Sequence, residues 1–195
     1  MLTAKPCEFN NGFFTRLLSI YQSITANIAE FAIYSGFRKE NILSLCIEQI
    51  RFHDLTPTGE VDLLIKGGRV ETFPLGNTAV EVLKCAIRNR KDGYVFINPK
   101  TGTRYTSIHK TFNKAVRKLG LKVNGTKLRF HDLKHVFCTW LLKEGVSIDF
   151  IRELAGHLDR RTTDRYATLN RLEVSRYLSL LPRIKTGKQY KVKVG

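Results

Sequence analysis

The sequence predicts a mostly helical α+β domain in which helices surround a small three-stranded antiparallel sheet. Three observations lead there. Apolar residues recur at helical spacing through most of the 195 residues. Two short strand-like runs, Glu60–Lys66 and Arg69–Pro74, are joined by Gly67-Gly68, a strong tight-hairpin signal. A 43% apolar content with a single Trp suits a globular chain long enough for one full core. No apolar run approaches the ~20 residues of a membrane helix, and no charged-then-apolar signal segment opens the sequence.

The elements follow in order. Phe13, Phe14, Leu17, Leu18 and Tyr21 have helical spacing, and a second helix over Ile24–Tyr34 stops at Ser35-Gly36. A helical piece over Lys39–Leu45 leads into Cys46–Phe52, which reads as the first strand, and the hairpin adds the other two. Asn77–Asn89 is helical, Asn98–Gly102 is a turn, and Ser107–Leu119 is a basic amphipathic helix ended by Gly120. The helix starting near His131 places Leu133, Val136, Phe137, Trp140 and Leu141 on one side. His131, Lys134, His135 and Cys138 fall on the other. Gly145 ends it, and Ser147 is a natural N-cap for the next. Thr162 or Thr163 starts a short helix holding Tyr166, and Leu172–Leu181 forms a last helix stopped by Pro182. The four cysteines contain no CxxC pair. Cys46 and Cys138 sit in apolar runs and read as reduced core residues of a cytosolic protein.

Charge narrows the function. The formal net charge is +16, of which +9 lies between Lys100 and Lys134, and the tail from Arg183 adds five more unopposed cations. Solubility alone would mix signs, whereas a one-sided band raises a field that attracts a polyanion. Nucleic acid is the partner this balance favours, with Lys110, Lys114, Arg117 and Lys118 on the basic helix as the DNA-binding candidates.

Against that background the stretch from His131 to Tyr166 stands out: His131-Asp132-Leu133-Lys134-His135, Leu154-Ala155-Gly156-His157 and, nine positions on, Tyr166. It combines imidazoles, an ammonium and a phenol. Strand breakage and rejoining without a metal needs a nucleophile, cations on the phosphate oxygens, and an acid for the departing 5′-oxygen. Upstream, Tyr34-Ser35-Gly36-Phe37-Arg38-Lys39 and the hairpin Ile65-Lys66-Gly67-Gly68-Arg69 complete a set that resembles the tyrosine recombinase (phage integrase) family. The matching motifs are its first arginine, its hairpin lysine, its HxLRH box, and its final histidine and tyrosine. The resemblance covers about 17 to 181. Each residue alone has a plainer reading: Lys66 as an exposed turn charge, Arg38 as a helix-end charge, His135 as a structural hydrogen-bonding residue. Five matches in order outweigh them.

The resemblance implies a helical catalytic domain over 1–182 with a basic tail over 183–195, lacking the family's N-terminal core-binding domain. It further implies a site-specific recombinase acting through a 3′-phosphotyrosine. Arg38 would grip the scissile phosphate, Lys66 would protonate the leaving 5′-hydroxyl, His131 would transfer protons and His157 would donate to a phosphate oxygen. Tyr166 would attack phosphorus. No metal or other cofactor is implied. The implied partner is double-stranded DNA with paired inverted half-sites, bound by a homotetramer coupled through 172–195 in the cytoplasm of a bacterial, archaeal or phage-infected cell. One departure concerns Lys134, where the family most often has arginine. An ammonium keeps the charge but not the fork, so a weaker or differently shaped phosphate clamp is expected. The alternatives are a catalytically weak or silent DNA-binding module of the same fold, and a type IB topoisomerase-like relaxase.

Overall fold

The computed structural model describes residues 24–65, 68–123, 125–155 and 177–183. The expected helix at Phe13–Tyr21, Lys66 at the hairpin tip, the His157–Tyr166 segment and most of the tail lie outside the described residues.

The first described helix, α1 (Ile24–Ser35), is apolar nearly all round and accordingly buried nearly all round, from Thr25 to Ser35 with only Asn27 less enclosed. It is the central rod of the domain, packed against α3 (Asn77–Ile87) and α5 (Asp132–Lys143). α1 stops where the sequence indicates. The Ser35 hydroxyl donates back to the Phe31 carbonyl at 2.7 Å, and Gly36 turns left-handed at φ 65°. A side chain at Gly36 would overlap the Phe137 ring of α5, so only glycine fits both the turn and the close approach. The short α2 (Lys39–Ser44) follows.

The three-stranded antiparallel sheet has the order β1 (Ile50–Phe52), β2 (Gly59–Leu64), β3 (Val70–Leu75). Val61 pairs with Phe73 and Leu64 with Val70, and strand alternation turns Val61 and Leu63 inward while Glu60 and Asp62 point out. The expected strand over Cys46–Phe52 is shorter than predicted. Its first half is a 3₁₀ turn over Ile47–Gln49, because the Gln49 side chain accepts from the Cys46 N–H at 2.8 Å and donates to the Asp62 carbonyl at 2.8 Å. Cys46 and Cys138 are only half-buried rather than core residues, and both are free thiols.

Helix α3 covers the sheet. After the Asn98–Gly102 turn comes α4 (His109–Leu119), which buries Phe112, Ala115 and Val116. A two-residue hairpin, β4 (Lys122–Val123) with β5 (Thr126–Lys127), is an element the sequence reading passed over, although Asn124-Gly125 carries its signal. Helix α5 buries the expected stripe of Leu133, Val136, Phe137, Trp140 and Leu141. Its other face is not uniformly open: His131 and His135 are exposed, but Lys134 is buried. Ser147 accepts from the Phe150 N–H at 3.3 Å ahead of α6 (Ile148–Leu154).

The described C-terminal piece packs on the chain's own core. Leu178 and Leu181 are buried there, and the Tyr34 hydroxyl donates to the Pro182 carbonyl at 2.9 Å. A Cβ on Gly76 would stand 2.8 Å from that of Leu178, so the α3 entrance is shaped to receive it. The resemblance assigns 172–195 to coupling between copies, and of that segment Leu178 and Leu181 are buried in their own chain. Among the described residues no helix is long and apolar enough to cross a membrane.

Candidate active site

Arg38 owes its position to the aromatic residue before it. Phe37 is buried edge-on against Phe31 at 5.9 Å and Phe73 at 5.5 Å, which anchors the chain as it leaves Gly36. The next residue, extended at φ −68° and ψ 146°, therefore emerges at the surface where α2 begins. Among the described residues the Arg38 guanidinium makes no hydrogen bond and no ion pair.

The first turn of α5 supplies the opposite wall. Asp132 secures it: its carboxylate accepts from the Arg129 N–H at 2.8 Å and from Arg129 Nη2 at 2.9 Å. Burial alone would raise this carboxyl, but these bonds outweigh it and hold the pKa below the usual range. His131 stands edge-on to His135 with 5.2 Å between ring centres. Burial first, then the neighbouring His135 and Lys134, lowers the His131 pKa, so its neutral form is favoured near neutral pH.

Lys134 is only 3% exposed, and its ammonium donates to the Ala155 carbonyl at the end of α6. Burial, followed by repulsion from Arg38, pushes it down to about 8. The residue that the sequence placed on an open polar face is thus an internal one, turned toward the backbone.

These groups surround one open cleft of roughly 370 Å³. Phe37 and Phe130 contribute apolar wall, while Arg38, Lys39, Arg129 and Lys134 contribute positive charge. The imidazoles of His109 and His131 also line it, and Glu40, paired with Lys39 at 3.1 Å, is the one acid among the described lining residues. The structure therefore brings together Arg38, His131 and Lys134, three of the six expected site residues. Lys66, His157 and Tyr166 lie outside the described residues, although the strands bearing Lys66 are closed by the Ile65 N–H to the Arg69 carbonyl at 2.8 Å. His109 and Arg129 are cleft residues that the sequence reading missed. Proximity to the His131 box was the available signal for Arg129; for His109 there was none beyond its place at the start of the basic helix.

Lys110, Lys114, Arg117 and Lys118 are all exposed on α4, whose buried face meets Phe130 through Phe112 at 5.3 Å. Because α4 starts with His109, its basic face begins at the cleft. Within the described residues no group of three His, Cys, Asp or Glu side chains is arranged to hold a metal ion.

Comparison with known proteins matches residues 14–173 to the phage integrase family. The tyrosine recombinase XerA of Pyrococcus horikoshii is 29% identical over 158 residues, covering 77% of this chain and 53% of that protein. XerC of Pseudomonas entomophila is 32% identical, with 83% of this chain and 54% of that one covered. Among solved structures, the integrase of mycobacterium phage Brujita superposes with a TM-score of 0.66 at 20% identity, over 93% of this chain and 60% of that one. The XerH recombinase bound to its difH substrate superposes with a TM-score of 0.60 at 20% identity, over 87% and 56%. The chain thus spans little more than half the length of the relatives it matches. With four fifths of its residues inside the match, the chain belongs to the phage integrase family, that of the tyrosine recombinases.

Proposed function

We propose that the chain cleaves and rejoins DNA strands as a site-specific recombinase, with Tyr166 as the nucleophile. The observation that carries this reading is the Arg38 guanidinium, without a hydrogen-bonded partner among the described residues, sharing a cationic cleft with His131, in a chain of this family. A guanidinium without a counter-ion at the mouth of such a cleft is an anion site, and its planar fork matches two phosphate oxygens. The Tyr166 oxygen bonds to phosphorus as the P–O5′ bond breaks, giving a 3′-phosphotyrosine. His131, neutral near pH 7, accepts the phenol proton. Lys66 gives a proton to the departing 5′-oxygen, and His157 donates to a phosphate oxygen. Resealing runs the same steps backwards with a 5′-hydroxyl from the partner strand. The phosphodiester energy is kept in the tyrosyl ester, so no nucleotide cofactor is required.

The DNA enters along α4, where Lys110, Lys114, Arg117 and Lys118 meet backbone phosphates. Four copies on paired inverted half-sites form the working assembly, in the cytoplasm. Since Leu178 and Leu181 pack in their own core, docking between copies through the 172–195 segment falls to its other residues. A silent DNA-binding module is the second reading, favoured by the inward turn of Lys134 alone.

The test uses the full chain and duplexes nicked inside a randomised segment, so that cleavage releases a short fragment and traps the enzyme. A denaturant-resistant protein–DNA adduct is expected, and Tyr166→Phe should abolish it while leaving folding and DNA binding intact. An adduct that persists in the Phe variant shows that Tyr166 is not the nucleophile. No adduct from the parent chain leaves the binding-module reading.

A further inference from the structure

The cleft has one more residue arranged to hold a phosphate. Position 134 is where the resemblance places a second phosphate-gripping group, yet the Lys134 ammonium is buried and committed to the Ala155 carbonyl. An ammonium so placed lends charge from within the protein but presents no fork to a bound anion. Arg129, two residues before His131, lines the same cleft. Its Nε donates to Asp132 at 3.4 Å and its Nη2 at 2.9 Å, which occupies one edge of the guanidinium. The other edge, Nη1 with the second Nη2 proton, has no partner among the described residues, and the side chain is 75% exposed. A carboxylate on one edge fixes the plane of a guanidinium and leaves the opposite fork aimed outward, ready for a second oxyanion.

The plainer role, an ion pair that merely supports the start of α5, does not account for this arrangement. Asp132 already accepts the Arg129 backbone N–H at 2.8 Å, which closes the turn without the side chain. The guanidinium end of the pair is exposed, so solvent screening leaves the side-chain contact little to add there. Building on the recombinase reading above, we infer that Arg129, oriented by Asp132, is a further catalytic residue: it supplies the second guanidinium on the scissile phosphate, and Lys134 serves as an internal tie to Ala155. Arg38 and Arg129 then grip the phosphate from two walls of the cleft, as α2 and α5 converge on it.

The experiment measures single-turnover adduct formation by the full chain on a nicked duplex recovered from the randomised pool by its covalent trapping on the parent protein. Arg129→Gln is expected to slow adduct formation by on the order of 10²–10³, as loss of one preorganised donor does. Binding of the same duplex should weaken only a few fold. Arg129→Lys, which keeps the charge and a partner for Asp132, should remain at least about tenfold slower than the parent, because the fork is gone. Placing Lys134→Arg in the Arg129→Gln background should recover part of the rate. Parent-like cleavage by Arg129→Gln overturns the inference. So does full restoration by Arg129→Lys, or a rate loss matched by an equal loss of affinity. Should Arg129→Gln not fold, the Lys variant alone decides on the same criterion. Absence of any adduct with the parent chain overturns the recombinase reading and this inference together, whereas normal cleavage by the variants removes this inference only.

Discussion

The outer face of the sheet and the cleft beside α5 use the same residue types to opposite ends. On the sheet every cation has its acid. Arg51 reaches Asp62 at 2.9 Å and Glu60 at 3.5 Å, Arg69 pairs with Glu71, and the Thr72 hydroxyl donates to Asp62 at 2.6 Å. The Arg51 and Thr72 hydrogen bonds pull the Asp62 carboxyl down to about 2, and the bond to Asp62 raises Arg51. Among the described residues of the cleft Arg38 is hydrogen-bonded to no acid, Glu40 being paired with Lys39, and the Lys134 ammonium is pushed down rather than up. The difference teaches that pairing, not the number of charges, separates cations that hold a fold from cations that await a ligand. A paired face is nearly neutral a Debye length away, while the cleft, whose described cations Arg38, Lys39, Arg129 and Lys134 outnumber its acids, keeps its field for a polyanion.

The comparison breaks most visibly at Arg38. Arg38→Ala should lower adduct formation by on the order of 10²–10³ while leaving the unfolding free energy within about 0.5 kcal/mol, since no internal partner is lost. A variant that unfolds instead would show Arg38 to be structural after all. On α4, replacing Lys110, Lys114, Arg117 and Lys118 by Ala should weaken binding to all DNA sequences alike. The dependence of log affinity on log salt should become shallower by roughly one per phosphate contact removed. An unchanged salt slope places that face away from DNA.

Lys134 sharpens the contrast through pH. Its folded pKa of about 8 lies below the ordinary 10.5, so between those values the unfolded chain binds more protons than the folded one. Stability contributed at this site therefore rises with pH across that window, by up to about 1.4 kcal/mol per pH unit. Measured against Lys134→Met, the parent's unfolding free energy should climb from pH 8 toward pH 10. A flat difference would mean the ammonium is as well solvated as a surface lysine. The smallest effect belongs to the paired face: Arg51→Ala should leave the unfolding midpoint nearly in place and cleavage unchanged, because exposed pairs contribute little. A cleavage defect there would move the functional surface onto the sheet.

Much of the architecture was legible because it is written in near-neighbour terms. Gly36, Gly120 and Gly145 mark the helix ends, the period-two run around Val61 and Leu63 gives the strand, and Gly67-Gly68 gives the hairpin between β2 and β3. The β1 region was read too long because its first half depends on Gln49 bonding to Asp62 of the next strand, a contact thirteen positions away. The burial of Leu178 in its own chain was not legible, because the sequence does not reveal that Gly76 leaves room for it a hundred residues earlier.

The site divides along the same line. The residue types, their order and spacing, and the imbalance of charge between Lys100 and Lys134 are properties of the sequence itself. They sufficed to single out Arg38, His131 and Lys134 and to point to an acidic polymer. Only the folded chain decided that the Lys134 ammonium turns inward to Ala155, that Arg38 has no hydrogen-bonded acid among the described residues, and that Arg129 and His109 join the same cleft. Helical period and turn chemistry act over a few residues and leave a local signature. Burial, pairing and the sharing of a cleft depend on which distant segments meet, and that is settled by the packing of α1, α2, α4 and α5 around one core.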